Sequence, residues 1–215
     1  MIFSDRREAG RKLGEALGHR PGSLLLGIPR GGVIIAVEAA AVTGGDVDVI
    51  VPRKLGAPRN PELGIGAVAA DGTVVLDDRL VISLGVTEDY IRAEVARQLE
   101  EIERRIAAYR RGRPPLEVAG RECVVVDDGV ATGGTAEVAL RSLGKQGAAR
   151  VVLAIPVAPE ESLDRLATVC DEVVCLETPA PFAAVGQWYT RFGQVSDDEV
   201  VEALERAWSE RDGAG

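Results

Sequence analysis

The sequence holds one histidine, His19, and three cysteines, Cys123, Cys170 and Cys175, in 215 residues. His19 follows a helical pattern and precedes a proline-glycine turn, with no ligand partner beside it, so it reads as a surface or capping residue. Histidine-dependent triads and two-histidine zinc sites are excluded on that count. The cysteines form no CxxC pair, and Cys123 and Cys175 lie in apolar, strand-like runs, which makes them small buried hydrophobes rather than a disulfide framework. Lysine is scarce too: only Lys12, Lys54 and Lys145 stand among 25 basic residues. Those 25 are outnumbered by 34 acids, leaving a net charge of −9, so a general polyanion-binding face is ruled out and any anionic ligand needs a local site. No apolar run approaches the roughly 20 residues of a bilayer span. The opening MIFSDRREAGRKLG has no apolar stretch after its charges, so no secretory signal is expected and the expected location is cytoplasmic. No internal repeat, low-complexity tract or linker is present.

What remains is ordinary globular composition, 46% apolar and 27% charged, in a length that suits one domain over residues 1–215. The chain alternates in period. Asp5 with Glu8 resembles a capping box, and Ala9, Leu13, Ala16 and Leu17 continue a helical stripe up to His19. Ser23 to Ile28 reads as a buried strand, Val33 to Val42 as a buried helix, and Val47 to Val51 as a second strand. Gly64 to Ala70 and Thr73 to Leu76 read as a hairpin around Asp71-Gly72. Between these strands, Pro52 to Leu63 carries three prolines, one glycine and the cations Arg53, Lys54 and Arg59, and is expected to be a long functional loop. Thr87 opens a long helix with Ile91, Val95, Leu99, Ile102, Ile106 and Tyr109 on one face, solvated by Glu100–Arg104 and Glu101–Arg105 pairs. From Glu122 the order is strand Cys123 to Val126, helix Gly134 to Gln146, strand Arg150 to Ile155, helix Glu160 to Ala167 and strand Glu172 to Leu176. Strands spaced by helices mean βαβ crossovers, a parallel sheet and the α/β class. An aromatic-rich loop, Phe182 to Phe192, leads to a last helix opened by Ser196 or Asp197.

The chemistry concentrates in VVVDDGVATGGTAEVAL, Val124 to Leu140. An apolar strand ends in two adjacent carboxylates, passes through a short Gly, Ala and Thr loop and continues as a helix. Open α/β sheets place ligands at that carboxyl edge. The loop Ala131-Thr132-Gly133-Gly134-Thr135 offers amides, two hydroxyls and a helix N-terminus, a seat for a dianionic phosphate. Asp127 and Asp128 would repel a phosphate set against them, so they suit neutral hydroxyls, or a magnesium ion, a few ångströms away. A ligand with a phosphate beside a diol is a sugar phosphate. A Walker A loop fails because Thr135 stands where its lysine belongs, and the glycines do not match a dinucleotide fingerprint.

VVVDDGVATGGT resembles the phosphoribosyl-pyrophosphate (PRPP) signature of the type I phosphoribosyltransferases. The resemblance implies a Rossmann-like parallel sheet flanked by helices, with a small hood built from the chain termini around a core of about residues 20–176 and a C-terminal segment of about 177–212. It further implies that Asp127 and Asp128 bind the ribose hydroxyls, directly or with Mg2+ held through water, and that Ala131, Thr132, Gly133, Gly134 and Thr135 bind the 5-phosphate. Ile28-Pro29-Arg30-Gly31-Gly32 resembles the pyrophosphate loop of these enzymes, which assigns Arg30, Gly31 and Gly32 to the leaving group. Arg53-Lys54 with the following Gly- and Pro-rich stretch is similar to the mobile catalytic loop of orotate phosphoribosyltransferases. ATGGT is the form seen in adenine enzymes, whereas hypoxanthine-guanine enzymes carry an aspartate at the position of Ala131. Gly129 departs from the family, in which an aliphatic residue follows the acids.

The implied reaction is displacement of pyrophosphate from C1 of PRPP by a small nitrogenous acceptor, a nucleobase in most of the family. Phe182, Trp188 and Tyr189 are candidates to stack a planar base, although aromatic residues in a loop beside a terminal helix are more often packing anchors. The other reading is a regulator of the same fold that binds PRPP or a nucleotide without turnover; the cations Arg53, Lys54 and Arg59 favour the enzyme. A homodimer is the default assembly, with neither nucleic acid nor membrane as partner.

Overall fold

The computed structural model describes residues 2–213. The chain opens with α1 (Arg6–Leu17), β1 (Leu24–Gly27), α2 (Gly31–Thr43) and β2 (Asp46–Val49). A second, smaller sheet follows, β3 (Arg53–Ala57), β4 (Asn60–Val68) and β5 (Val74–Leu76), then α3 (Asp78–Ser83) and the long α4 (Glu88–Arg110). The remainder alternates: β6 (Glu122–Val126), α5 (Gly134–Lys145), β7 (Arg150–Val157), α6 (Glu160–Leu166), β8 (Glu172–Glu177) and α7 (Asp197–Asp212).

The main sheet is parallel throughout, in the order β2-β1-β6-β7-β8. Its three central strands, β1, β6 and β7, are apolar on both faces, as burial between helix layers requires. Leu25, Val47, Val49, Val124, Val126, Val152 and Ala154 fill one core with α1, α2 and α7, while Leu24, Leu26, Cys123, Val125, Leu153 and Ile155 fill the other with α5 and α6. That period-two division is what strand geometry imposes on a continuous Leu/Val run. From β1 the chain runs outward to β2, and from β6 it runs the other way to β7 and β8. The two central strands therefore flank a topological switch point, and the crevice at their carboxyl ends is where such sheets take ligands.

The caps at Thr87 and Ser196 form as the sequence suggests, the second as a full capping box with Glu199. At α1 only half of the expected box forms: Asp5 accepts from the Glu8 amide, but the Glu8 carboxylate turns back to the Ser4 amide. His19 lies exposed beyond the end of α1.

Three expectations are corrected. Pro52 to Leu63 is not a long loop but the hairpin of β3 and β4, turning at Pro58-Arg59. Its pairing slips at Leu55/Gly56 and Gly56/Ala57, and Pro61 crowds Gly56, where a Cβ would sit 2.8 Å from the Pro61 carbonyl oxygen. The bulge and the prolines erase the alternation by which a strand is read. The short α3, not expected from the sequence, follows β5 and is capped by Asp77, which accepts from the Leu80 amide. In α4 the expected apolar face packs on the core, with Ile102 and Tyr109 buried and Val95, Leu99 and Ile106 half-buried against it, but the polar Glu94 and Gln98 are buried as well. The helix is rolled toward β3 because Gly56 lies beneath it: Tyr90 donates its hydroxyl to the Gly56 carbonyl at 2.9 Å, and Glu94 accepts from the Gly56 amide. The carboxylate of Glu101, not Glu100, takes Arg104 as well as Arg105, each at 2.7 Å.

Candidate active site

The acid pair follows the last residue of β6. Because Gly27 is in register with Val126, the chain leaving β1 and the chain leaving β6 stay side by side past the sheet edge, and the Ile28 amide still donates to the Val126 carbonyl at 2.8 Å. This brings Gly31 and Gly32, the first turn of α2, onto Asp127 and Asp128. A Cβ on Gly31 would fall 1.9 Å from Oδ2 of Asp128, and one on Gly32 would fall 2.5 Å from the Val126 carbonyl oxygen and 3.2 Å from Oδ1 of Asp127. No other residue fits at Gly31 without displacing the carboxylate. A Gly31→Ala protein is expected to lose on the order of 1–3 kcal/mol of stability by overpacking, measured by urea unfolding. Wild-type stability in that variant would mean that the two loops are further apart than described.

Asp127 Oδ1 accepts from the Asp128 amide at 2.8 Å. Asp128 Oδ2 accepts from Nε of Arg6 at 2.7 Å, and its backbone carbonyl accepts the Tyr189 hydroxyl at 2.6 Å. Burial pushes both carboxyls above the usual carboxylate range; at Asp127 the neighbouring Asp128 charge adds to it, and at Asp128 the Arg6 guanidinium opposes it. Both shifts favour the protonated carboxyl over the carboxylate, and acids perturbed in this way cluster at functional sites.

Across the crevice, Gly133 adopts a left-handed conformation, φ 73°, and begins α5 without a side-chain cap. The helix amides are thus left to another acceptor, as an anion site requires. The loop carbonyls are turned away from that mouth. Ala131 accepts from the Ser162 hydroxyl at 2.6 Å, and Thr132 accepts from the Arg165 guanidinium, which also pairs with Glu137 in the first turn of α5. Ser162 and Arg165 on α6 therefore shape the loop; nothing in the sequence marks them, because their role exists only once α6 is packed beside α5. Ala131 and Thr132 are exposed, Gly134 and Thr135 half-buried.

Arg30 caps α2 at the mouth of the crevice, half-buried, after a cis Pro29–Arg30 peptide. The hairpin cations are set back. Arg53 donates from Nε to Oε1 of Gln98 at 3.0 Å and lines a cleft of about 380 Å³ against α4. Burial and the nearby Arg105 lower its affinity for its proton. Lys54, on the opposite side of β3, donates from Nζ to the Glu62 carbonyl at 2.7 Å. Among the described residues no hydrogen bond joins either to Asp127 or Asp128.

Of the three aromatics considered for base stacking, Tyr189 is a packing anchor. It is buried, with ring centroids 5.5 Å from Phe3 and 4.9 Å from Phe192. Trp188 packs half-buried on the core with its indole nitrogen enclosed and unpaired, and Phe182 is half-buried in the preceding loop. The Phe3 to Tyr189 bridge ties the N-terminal segment to this loop, beside the Asp128 carbonyl that Tyr189 bonds.

A five-stranded parallel sheet flanked by helices, with paired acids, a glycine turn and an open helix N-terminus around its switch point, has the architecture of the type I phosphoribosyltransferases. The chain belongs to the type I phosphoribosyltransferase family: the phosphoribosyl transferase domain matches residues 13–189. It is 47% identical over 208 residues to a protein of Mycobacterium tuberculosis, found in strains H37Rv and CDC 1551, named "Putative phosphoribosyl transferase". That match covers 96% of this chain and 47% of the relative, so the chain spans about half the length of the curated relatives it matches. It is also similar to the crystal structure of TT1426 from Thermus thermophilus, at 44% identity and a TM-score of 0.81, covering 96% of this chain and 99% of that one. Among the described residues no helix is long and apolar enough to cross a membrane.

Proposed function

We propose that the protein transfers the 5-phosphoribosyl group of PRPP to a small nitrogenous acceptor and releases pyrophosphate. The observation that carries this is the contact of the Gly31 turn with the Asp128 carboxylate, which sets a backbone suited to the leaving diphosphate beside acids suited to the ribose diol. In this reading Asp127 and Asp128 accept hydrogen bonds from the ribose hydroxyls, and the amides from Ala131 to Thr135 take the 5-phosphate. Arg30, Gly31 and Gly32 face the diphosphate. The C1–O bond to the diphosphate breaks, C1 bonds to the acceptor nitrogen, and the electron pair leaves with the pyrophosphate. Charge grows on the leaving group, so preoriented donors there lower the barrier; one such donor is worth about 3 kcal/mol. Ala131 offers no acid–base group, so the acceptor's proton is not assigned to that position.

No group of three or more His, Cys, Asp or Glu gathers among the described residues. Two adjacent carboxylates nevertheless fit a magnesium ion that keeps waters and takes its other oxygens from substrate. Asp127 and Asp128 would hold it through water, and when bound it supplies charge neutralisation on the diphosphate.

Arg53 and Lys54 are the proposed cations that close on the diphosphate, which requires Lys54 to leave Glu62. Since that step comes after binding, Lys54→Ala is expected to lower kcat while leaving PRPP affinity near wild type. Steady-state kinetics beside calorimetric PRPP titration checks this; equal losses in both would place Lys54 in ground-state binding. Phe182 and Trp188 are proposed to border the acceptor.

The whole reading is tested by pyrophosphate release from PRPP and magnesium with a panel of purines, pyrimidines and simple amines. Turnover with any acceptor supports the enzyme and names its substrate class. Tight PRPP binding with no turnover across the panel would leave the regulator, and absence of PRPP binding would remove both.

A further inference from the structure

Arg6 has no part in the reading above, yet it is the cation that reaches the acid pair. It is the first residue of α1, and its neighbour Arg7 points elsewhere, to Glu38 on α2 at 2.8 Å. Arg6 instead turns to the sheet rim. Its Nε donates to Oδ2 of Asp128 at 2.7 Å, with the two side chains only 12% and 19% exposed. Its guanidinium lies 3.9 Å over the Phe192 ring, and NH1 donates to the Gly193 carbonyl at 2.8 Å. The segment carrying Phe192 and Gly193 is itself fixed, because the Arg191 amide bonds to the Ser4 carbonyl and the Arg191 guanidinium to Asp5. Arg6 and Phe192 both lie outside residues 13–189, the stretch matched by the family domain.

A guanidinium fork held at two other points cannot follow a wandering carboxylate; it fixes the carboxylate's rotamer instead. Tyr189 does the same for the Asp128 backbone. Arg6 Nε donates to Oδ2 of Asp128, so one carboxylate oxygen is clamped and Oδ1 is the one left for a further donor. We propose that Arg6 is a positioning residue for the ribose site: docked on Phe192 and Gly193, it holds Oδ2 of Asp128 so that Oδ1 meets a ribose hydroxyl. The proposal rests on the ribose site argued above and adds to it a part supplied by the chain ends. It also explains why Phe3, Tyr189 and Phe192 gather beside the acids: they carry the platform on which Arg6 rests.

The test is a double-mutant cycle read by calorimetric titration with ribose 5-phosphate, and separately with PRPP and magnesium, on wild type, Arg6→Gln, Asp128→Asn and the double variant. Arg6→Gln is expected to weaken ribose 5-phosphate binding about tenfold, and to cost nothing further once Asp128 is Asn. Arg6→Lys, which keeps the charge but cannot hold Asp128 and Gly193 together, is expected to recover only part of the affinity. Phe192→Ala leaves Arg6 in place without its platform, and serves if Arg6→Gln melts early; its loss too should vanish in the Asp128→Asn background. Binding by Arg6→Gln as tight as wild type or tighter would overturn the proposal, since Arg6 would then be idle or an obstruction. The same fold-loss with and without Asp128 would also overturn it, because Arg6 would not be acting through that carboxylate. If Asp128→Asn itself binds like wild type, the ribose site is misplaced and the proposal falls with it, a pattern different from either of the others.

Discussion

An Asp127→Asn protein is expected to melt at a higher temperature than wild type at pH 7 while its affinity for PRPP drops about tenfold or more, about 1.4 kcal/mol. Both halves follow from one fact, that the Asp127 carboxyl is buried beside Asp128 and held well above its ordinary value of 3.8. Below that value the carboxyl is protonated in folded and unfolded chains alike and has no effect on stability. Above it the unfolded chain loses the proton more readily than the folded one, so stability falls as pH rises toward the folded value and stays reduced beyond it. Asparagine has no such dependence, and its side-chain oxygen can still accept from the Asp128 amide as Oδ1 does now. The difference in melting temperature should therefore shrink as the pH is lowered and disappear below the ordinary carboxylate range. Ligand binding runs the opposite way, because a ribose hydroxyl needs a charged acceptor. Wild-type affinity for PRPP should thus fall on acidification at a pH above that of an ordinary aspartate. Such opposition between stability and binding is the mark of a group kept for its chemistry. A variant that is less stable at pH 7, or that binds PRPP like wild type, would place Asp127 among structural acids.

The parts of this site that could be read in the sequence are those built from consecutive residues. The strand, acids, glycines and helix start from Val124 to Leu140 are all local, and their backbone geometry follows from residue type alone. The same holds for the parallel sheet, since a Leu/Val run followed by a helical pattern specifies its own element. Arg6, Ser162 and Arg165 were not legible because each acts on a residue far away in sequence: Arg6 on Asp128, Ser162 on Ala131, Arg165 on Thr132. No periodicity records such a contact. The hairpin of β3 and β4 was hidden for a different reason. Proline and a bulge removed the alternation, and its stability comes from Tyr90, Glu94 and Gln98 of α4, which bind Gly56 and Arg53. Nothing in the helix pattern marks Tyr90, Glu94 and Gln98 as partners of a hairpin until the strands beneath them are known. Tyr189 shows the limit for aromatics, as a loop tyrosine can stack a ligand or anchor a rim, and only its burial distinguishes the two.

The other end of α4 carries the largest expected loss of stability. Asp48, 3% exposed by its side chain, is buried in β2 between Val47 and Val49, where a carboxylate is costly unless fully bonded. Arg110, the last residue of α4, meets it with Nε at 3.1 Å and NH2 at 3.0 Å, and the Leu116 amide completes Oδ2 at 3.2 Å. The Arg110 side chain is 15% exposed, so neither charge can turn to water if the other is removed. An Arg110→Met variant is expected to lose about 3–5 kcal/mol, most of it the penalty of leaving Asp48 charged and unpaired. Removing both charges, as Asp48→Val with Arg110→Met, should recover much of that loss, which two independent destabilisations would not do. Urea unfolding of the two single variants and the double one reads the coupling directly, and a loss under about 1 kcal/mol in Arg110→Met would show the pair to be solvated. The consequence reaches the site through the helix itself. Tyr109, beside Arg110, donates to Asp197 at the start of α7, and Gln98, three turns earlier, fixes Arg53. An α4 released at Arg110 would loosen both its hold on the C-terminal helix and its grip on the hairpin. Arg110→Met should therefore speed amide hydrogen exchange in β3 and in the first turn of α7 as well as in α4, whereas the charge-free double variant should restore protection at all three.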